Sequence, residues 1–285
     1  MYEDYYQLRA KPFQVSPDAR FFFSSKGHRR AMAYLVYGAH QGDGFIVITG
    51  DIGTGKTTLA HVLARNLESE DVVLARIMST QLGADEIVRM VAAAFGLPDE
   101  SSKAVMLSKL EQFLLARSLE GKRALLLIDE AQNLPLAAVE ELRMLSNFQS
   151  EEKPLLQSFL LGQPEFRKTL QSPGMEQLRQ RIIASCHLGP MDEAETEAYI
   201  VHRLQTVGWT GDPSFGPGVF AEIHGYTGGI PRKINVLCDR LLLSGYLEET
   251  HEFSAAQVRA VIDELRQEFA PVNVKPTKRG KADAG

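Results

Sequence analysis

Cysteine is scarce in this sequence, and neither cysteine lies at metal-ligand spacing. Cys186 and Cys238 are the two cysteines among 285 residues. Structural zinc and iron–sulfur sites need clustered ligands, and a disulfide framework needs several cysteines. The sequence therefore predicts two buried thiols in a reducing compartment. A disulfide or a reactive pair is the alternative.

Long apolar runs are also absent. No stretch approaches the roughly 18 apolar residues of a membrane-spanning helix. The opening segment, MYEDYYQLRAKPF, carries acids and aromatics and lacks the apolar run of a secretory signal. These features predict a cytoplasmic protein with no transmembrane segment of its own, which would serve a membrane process from outside the bilayer.

Positive charge is not in excess. The chain has 31 Lys and Arg against 36 Asp and Glu, a net charge of −5. This balance disfavours a protein that coats nucleic acid, because phosphate binding depends on clustered Lys and Arg. Contact with nucleic acid through a local basic patch stays open. The apolar fraction of 44% is ordinary for a globular protein and predicts a real core.

Short apolar runs alternate with helical patterns in the first two-thirds of the chain. Near-continuous apolar strands between helices are typical of a parallel sheet covered on both faces. The sequence thus predicts a three-layer α/β domain over 1–190, with the aromatic N-terminal segment packed on the domain that follows it. The predicted strands are FIVIT (45–49), VVLARIM (72–78), ALLLID (124–129), LLQSFLLG (155–162) and IIASCHL (182–188).

Strand signals stop after Pro190, and helical patterns follow. Ser254 and Gln257 have the spacing of a capping box at one helix start. The pattern predicts a small all-helical domain over 191–270. Residues 271–285 are polar, basic and punctuated by Pro and Gly, which predicts a disordered tail. Weak contact of this tail with an acidic partner or an anionic surface is the alternative.

GDIGTGKT (50–57) fits the phosphate-loop pattern G-x-x-x-x-G-K-[ST] between a predicted strand and a predicted helix. Its glycines let the backbone turn its N–H groups inward, and the helix dipole adds positive charge for an anion. Lys56 is expected to reach the β- and γ-phosphates of ATP, and the Thr57 hydroxyl to ligate Mg²⁺. The residues expected to bind the nucleotide are Gly50, Asp51, Ile52, Gly53, Thr54, Gly55, Lys56, Thr57 and Thr58.

Two acids end the apolar strand of ALLLIDEAQN (124–133). Asp129 is placed to hold Mg²⁺, and Glu130 to orient and polarise the attacking water. A solvated acid pair at a strand end is the alternative, and the upstream phosphate loop disfavours it.

The next strand, in FLLGQPEF (159–166), ends on Gln163. In a parallel sheet its end lies on the same edge as the phosphate loop. We therefore expect Gln163 to face the γ-phosphate or the attacking water. The alternative is an amide that only holds its own loop.

Two further motifs carry arginines. EQLRQRI (176–182) contains Arg179 and Arg181, either of which could reach the ATP of a neighbouring subunit. In GGIPRKIN (228–235), Arg232 follows a proline suited to the first position of a helix and could reach the phosphates. Solvated surface arginines are the alternative in both motifs.

Together these motifs resemble those of AAA+ ATPases, and more narrowly the general secretion pathway A (ExeA-type) family. The opening segment and IDEAQNL carry the narrower resemblance. Within that family the chain most resembles the subfamily associated with exosortase/PEP-CTERM and exopolysaccharide systems. The resemblance implies a P-loop NTPase fold with sheet order 5-1-4-3-2 and the helical domain as a lid. It also implies Gln163 as first sensor, Arg181 as trans-acting finger and Arg232 as second sensor.

The resemblance further implies a function. We expect an ATPase that uses ATP and Mg²⁺ and forms an ATP-dependent homo-oligomer. It would energise or regulate assembly of an envelope secretion or exopolysaccharide system with inner-membrane components as partners. ExeA-type proteins continue into a transmembrane helix and a peptidoglycan-binding region, whereas this sequence ends in PTKRGKADAG. We therefore expect a partner to recruit it to the inner face of the membrane. A DNA-associated regulator of the transposition-ATPase type, or a scaffold that barely hydrolyses ATP, are the alternatives.

Overall fold

The core of the fold is a five-stranded sheet. The structure is a computed structural model that describes residues 1–268, apart from residues 17, 43, 68–70, 79–82, 101 and 152. The predicted disordered tail lies outside the described residues. The strands are β1 (Phe45–Gly50), β2 (Val72–Met78), β3 (Arg123–Asp129), β4 (Leu156–Gly162) and β5 (Ile182–Leu188).

All neighbouring strands of this sheet pair in parallel, in the order β2-β3-β4-β1-β5. This is the predicted order 5-1-4-3-2, read from the other edge. Every residue of β1 and β4 is buried, as expected for central strands of a sheet covered on both faces. In the edge strand β5, buried and exposed residues alternate from Ile183 to Leu188 because one face meets α2 and the other is more open.

Helices cover both faces, which confirms the predicted three-layer α/β architecture. Leu35 and Leu63, from the second and third helices, pack on one face against Ile48 and Phe159 of the sheet. The fourth to eighth helices cover the other face. The helices before residue 190 are α1 (Tyr2–Tyr5), α2 (Lys26–Gln41), α3 (Lys56–Leu67), α4 (Ala84–Ala94), α5 (Lys103–Leu119), α6 (Leu136–Leu145), α7 (Glu165–Gln171) and α8 (Glu176–Gln180).

The C-terminal part is mostly helical, but the predicted all-helical pattern is interrupted by two short strands, Ser214–Phe215 and Glu252–Phe253, which pair in parallel. It contains α9 (Glu193–Thr206), α10 (Val219–Thr227), α11 (Pro231–Leu247) and α12 (Ala255–Glu268). The predicted capping box is present: the Gln257 N–H donates to Ser254 Oγ, and the Ser254 N–H donates to Gln257 Oε1. Within the described residues no helix is long and apolar enough to cross a membrane. The proposed boundaries at 190/191 and 270/271 stay predictions.

Most of the aromatic N-terminal segment packs against the helical part, which corrects the expectation from sequence, and Phe22 packs on the α/β layers. Tyr2, Tyr6 and Phe13 belong to the same buried cluster as residues of α9 to α12. The buried guanidinium of Arg203 donates to the carbonyls of Pro12 and Gln14. The segment docks there because these helices offer both apolar surface and a buried donor that needs acceptors.

This docking predicts opposite effects for two glycines in helices of the C-terminal part. A Cβ at Gly245 in α11 would contact Tyr6 Oη and lie 2.6 Å from the Phe253 ring, whereas Gly225 in α10 has open space around it. Gly245→Ala should lower the free energy of unfolding by about 1–3 kcal/mol through overpacking. Gly225→Ala should raise it by about 0.5–1 kcal/mol through helix propensity. Denaturant unfolding measures both, and equal effects would contradict the N-terminal docking.

Candidate nucleotide site

The phosphate loop follows β1 directly and ends where α3 begins at Lys56. Gly53 and Gly55 have φ angles of 84° and 96°, a region that side chains with a Cβ rarely adopt. The Thr54 hydroxyl donates to the Asp51 carbonyl at 2.9 Å and braces the turn from within. The α3 N-terminus therefore opens into the cavity at the carboxyl edge of the sheet, where an anion is favoured.

The Lys56 ammonium is held by the loop itself. Its Nζ donates to the carbonyls of Gly50 at 2.8 Å and Asp51 at 3.0 Å, and the residue is only 5% exposed. Burial lowers the pKa of Lys56 from its ordinary value, and the nearby carboxylates of Glu130 and Asp129 oppose this effect. The ammonium thus sits beside the acids of β3, in reach of an anion that enters the loop.

A hydroxyl–carboxylate pair joins the phosphate loop to β3. Thr57 Oγ1 donates to Asp129 Oδ2 at 2.6 Å, and the Glu130 N–H donates to Asp129 Oδ1 at 2.9 Å. Asp129 is only 1% exposed, and a hydrogen bond to each oxygen fixes the orientation of its carboxylate. A hydroxyl and a carboxylate beside a phosphate loop are oxygen ligands of the kind that Mg²⁺ takes. The residues present therefore fit the predicted metal.

Glu130 turns into the cavity through an unusual backbone conformation. Its φ of 53° is left-handed and starts the short 3₁₀ turn Ala131–Asn133. Oε2 accepts a hydrogen bond from Gln163 Nε2 at 3.2 Å. The structure thus brings Gln163 to the phosphate edge, as predicted, but places its amide on the Glu130 carboxylate rather than in the cavity.

Arg232 lies in the first turn of α11 and lines the same cavity as Lys56. Its backbone N–H donates to the Gly53 carbonyl at 3.2 Å. An added Cβ at Gly53 would lie 2.5 Å from Arg232 Cβ, so the loop and α11 are in direct contact. This places the predicted second sensor beside the phosphate loop.

Arg181 is not brought to this site. The Phe45 N–H at the start of β1 donates to the Arg181 carbonyl, so Arg181 lies at the opposite edge of the sheet, about 17 Å from the loop along the strand. Its guanidinium bonds Ser146 Oγ at 2.6 Å and the Asn147 side chain. Arg179 bonds the Leu170 carbonyl at 2.7 Å. Arg181 could therefore act only on the nucleotide of another copy.

Several cavity residues escaped the sequence-based prediction. His28 is 6% exposed, and its Nε2 would lie 2.8 Å from a Cβ at Gly55. Its Nδ1 lies 2.7 Å from the hydroxyl of Ser25, the residue that caps α2. Ser25 before the helical pattern was a usable signal for a helix start, but nothing in the spacing points to His28 as a site residue.

The far end of the cavity is formed by the N-terminal segment and two helices of the C-terminal part. The Tyr199 hydroxyl donates to Asn235 Oδ1 at 2.8 Å and accepts from Arg203 Nη1 at 2.8 Å. Asn235 lies within the quoted motif GGIPRKIN, but nothing in its spacing points to a site. The apolar part of this wall consists of Val15, Phe21, Phe22, Phe23 and Met191.

Comparisons with known proteins agree with this geometry. Residues 39–170 match the model of the AAA domain family. The chain is 37% identical over 254 residues to general secretion pathway protein A of Aeromonas hydrophila, covering 88% of this chain and 46% of that protein. It is 28% identical over 156 residues to the Mu-like prophage FluMu DNA transposition protein B of Haemophilus influenzae, covering 53% and 50%. The chain thus spans about half the length of both relatives.

Two solved structures also match over more than 80% of the chain. Cdc6p from Pyrobaculum aerophilum has a TM-score of 0.69 at 16% identity, covering 87% of this chain and 71% of that one. The RuvB Holliday junction branch migration motor of Thermotoga maritima has a TM-score of 0.56 at 19% identity, covering 84% and 68%. The chain has the P-loop AAA+ fold. It is also a homologue of general secretion pathway protein A.

The buried imidazole beside the loop predicts a pH effect on stability. Burial lowers the pKa of His28 from 6.5 to about 4. Below pH 6.5 the unfolded chain therefore takes up a proton that the folded protein does not. His28 should reduce the free energy of unfolding by up to about 3 kcal/mol as the pH falls from 6.5 to 4. The free energy of unfolding of His28→Gln should therefore fall less steeply between pH 6.5 and pH 4 than that of the unsubstituted protein. His40→Gln, at an exposed site on the same helix, is the control. If the free energy of unfolding depends on pH in the same way in both variants, the pH effect does not come from His28.

Proposed function

We propose that this AAA+ protein binds ATP with Mg²⁺ and hydrolyses it to ADP and phosphate. The observation that carries the proposal is the 2.6 Å hydrogen bond between Thr57 and Asp129, with Glu130 directly beside it at the mouth of the phosphate loop. A hydroxyl and two carboxylates in this relation provide metal ligands and a group that can polarise water, next to a cradle for phosphate.

Each residue has a distinct part in this proposal. The amides of Gly50–Thr58 and the Lys56 ammonium hold the phosphates, and Thr57 with Asp129 holds the metal. The metal, when bound, neutralises charge that develops on the phosphate oxygens. Glu130 accepts a hydrogen bond from the attacking water and orients it. Arg232 approaches the phosphates from α11, so the helical part can respond to the nucleotide.

The proposal includes an ATP-dependent homo-oligomer. Arg181 lies at the edge of the sheet opposite its own phosphate loop, so its role as a finger needs a second copy of the chain. Arginines that stabilise transferring phosphoryl charge can contribute large rate factors. The hydrogen bonds from Arg181 to Ser146 and Asn147 hold it in place at the end of α6 until such a contact forms.

The proposed cellular role is to energise or regulate assembly of an envelope secretion system. The homology to general secretion pathway protein A over 88% of the chain supports this role. A narrower link to exopolysaccharide and PEP-CTERM systems rests on the motif resemblance. We propose action in the cytoplasm, with recruitment to the inner face of the membrane through a partner of that system.

Replacing the proposed water-orienting carboxylate tests hydrolysis. Glu130→Gln keeps the phosphate loop and the metal ligands but weakens the acceptor for water, so kcat should fall by roughly 100-fold or more while ATP affinity changes little. Phosphate release and equilibrium binding of a fluorescent ATP analogue measure the two effects.

The matched control for this experiment is Glu165→Gln, an exposed carboxylate at the start of α7. It should leave both quantities unchanged. Turnover within twofold of the unsubstituted protein in Glu130→Gln would remove Glu130 from the reaction.

A DNA-associated ATPase is the second candidate function. The similarity to a DNA transposition protein over 156 residues favours it, whereas the net charge of −5 disfavours it. An electrophoretic shift on duplex DNA with and without ATP separates the candidates. We expect no shift at moderate salt, and tight ATP-dependent binding would reverse the order of the two.

A further inference from the structure

We propose that Gln132 is a positioning residue that fixes the orientation of the Glu130 carboxylate, so that its second oxygen, Oε1, is the atom that faces the attacking water. This inference rests on the proposed hydrolysis of ATP. Its basis is a set of hydrogen bonds among the ends of β3 and β4 that neither the phosphate-loop pattern nor the strand pattern points to.

The side-chain amide of Gln132 bridges two elements. Its Oε1 accepts from the Gln163 backbone N–H at 2.9 Å, and its Nε2 donates to Glu130 Oε2 at 2.5 Å. The backbone N–H can only donate, so the oxygen of the Gln132 amide must face it. The nitrogen must then face Glu130. The amide orientation is therefore determined by the network rather than chosen freely.

Both amide donors act on the same carboxylate oxygen. Gln132 Nε2 and Gln163 Nε2 donate to Glu130 Oε2, at 2.5 and 3.2 Å. Among the described residues no donor is found for Oε1. Glu130 lines the cavity, whereas neither amide residue is among the residues that line it. The hydrogen bonds to Oε2 thus hold the carboxylate on the side away from the cavity, and Oε1 is left to accept a hydrogen bond from water on the cavity side.

The geometry leaves little room for another arrangement. Glu130 is held in a left-handed backbone conformation, which costs energy for a residue with a Cβ. A Cβ at Gly162 would lie 3.3 Å from Gln132 Oε1, so the glycine at the end of β4 makes space for the bridge. Small displacements of a reacting group lower rates strongly, and two anchored hydrogen bonds limit such displacements.

Gln132→Glu tests the positioning role without removing the bridge to β4. The new carboxylate can still accept from the Gln163 N–H, but at neutral pH it cannot donate to Glu130. We expect kcat at pH 7.5 to fall roughly 10- to 100-fold, with ATP affinity and unfolding temperature close to those of the unsubstituted protein.

The split between turnover and binding separates positioning from a general structural effect. A disrupted site would lose ATP affinity and unfolding temperature together with kcat, whereas a misdirected Glu130 carboxylate lowers kcat while ATP affinity is kept.

Asn133→Ala is the matched control, because Asn133 is an exposed amide in the same 3₁₀ turn. Gln132→Ala, which removes both hydrogen bonds, should lose at least as much turnover as Gln132→Glu. Turnover of Gln132→Glu within twofold of the unsubstituted protein, or a loss of ATP affinity and unfolding temperature in parallel with kcat, would overturn the positioning role. Absence of hydrolysis in the unsubstituted protein would instead contradict the proposed function and, with it, this inference.

Discussion

The parallel pairing of β3, β4 and β1 is the constraint on which the site depends. Because the three strands run in the same direction in adjacent positions, their carboxyl ends share one edge of the sheet. The phosphate loop, Asp129 and Gln163 follow those ends. Thr57 and Asp129, 72 positions apart in the chain, thus come within hydrogen-bond distance, as do Glu130 and Gln163, 33 positions apart.

The same pairing explains why Arg181 cannot serve its own site. It precedes β5, and the start of a parallel strand lies at the edge opposite the phosphate loop. Strand direction therefore separates the residues into two groups, those that can act on the nucleotide bound by the same chain and those that need a neighbouring copy. In the proposed homo-oligomer, hydrolysis therefore depends on assembly, because Arg181 and the phosphate loop that it would act on belong to different copies of the chain.

The C-terminal helices contact both the phosphate loop and α2. Arg232 contacts Gly53 of the phosphate loop, and Lys26 at the start of α2 bonds Asp192 and Glu195 at the start of α9. The N-terminal segment packs on these helices through its aromatic residues and through Arg203. The cavity is therefore lined by three parts of the chain that are far apart in sequence.

The sequence by itself determined the five strands, the three-layer architecture and the residues of the phosphate loop with Asp129, and its resemblance to a known family implied the sheet order. Apolar runs of strand length and the spacing of the phosphate-loop motif are local properties, so they can be recognised without the fold. Only the tertiary structure decided that the aromatic segment docks on the helices, that His28 lies against Gly55, and that Gln132 bridges Glu130 and Gln163. These contacts depend on which surfaces pack together after folding and on which acceptor lies next to a buried donor. The spacing of residues along the chain determines neither.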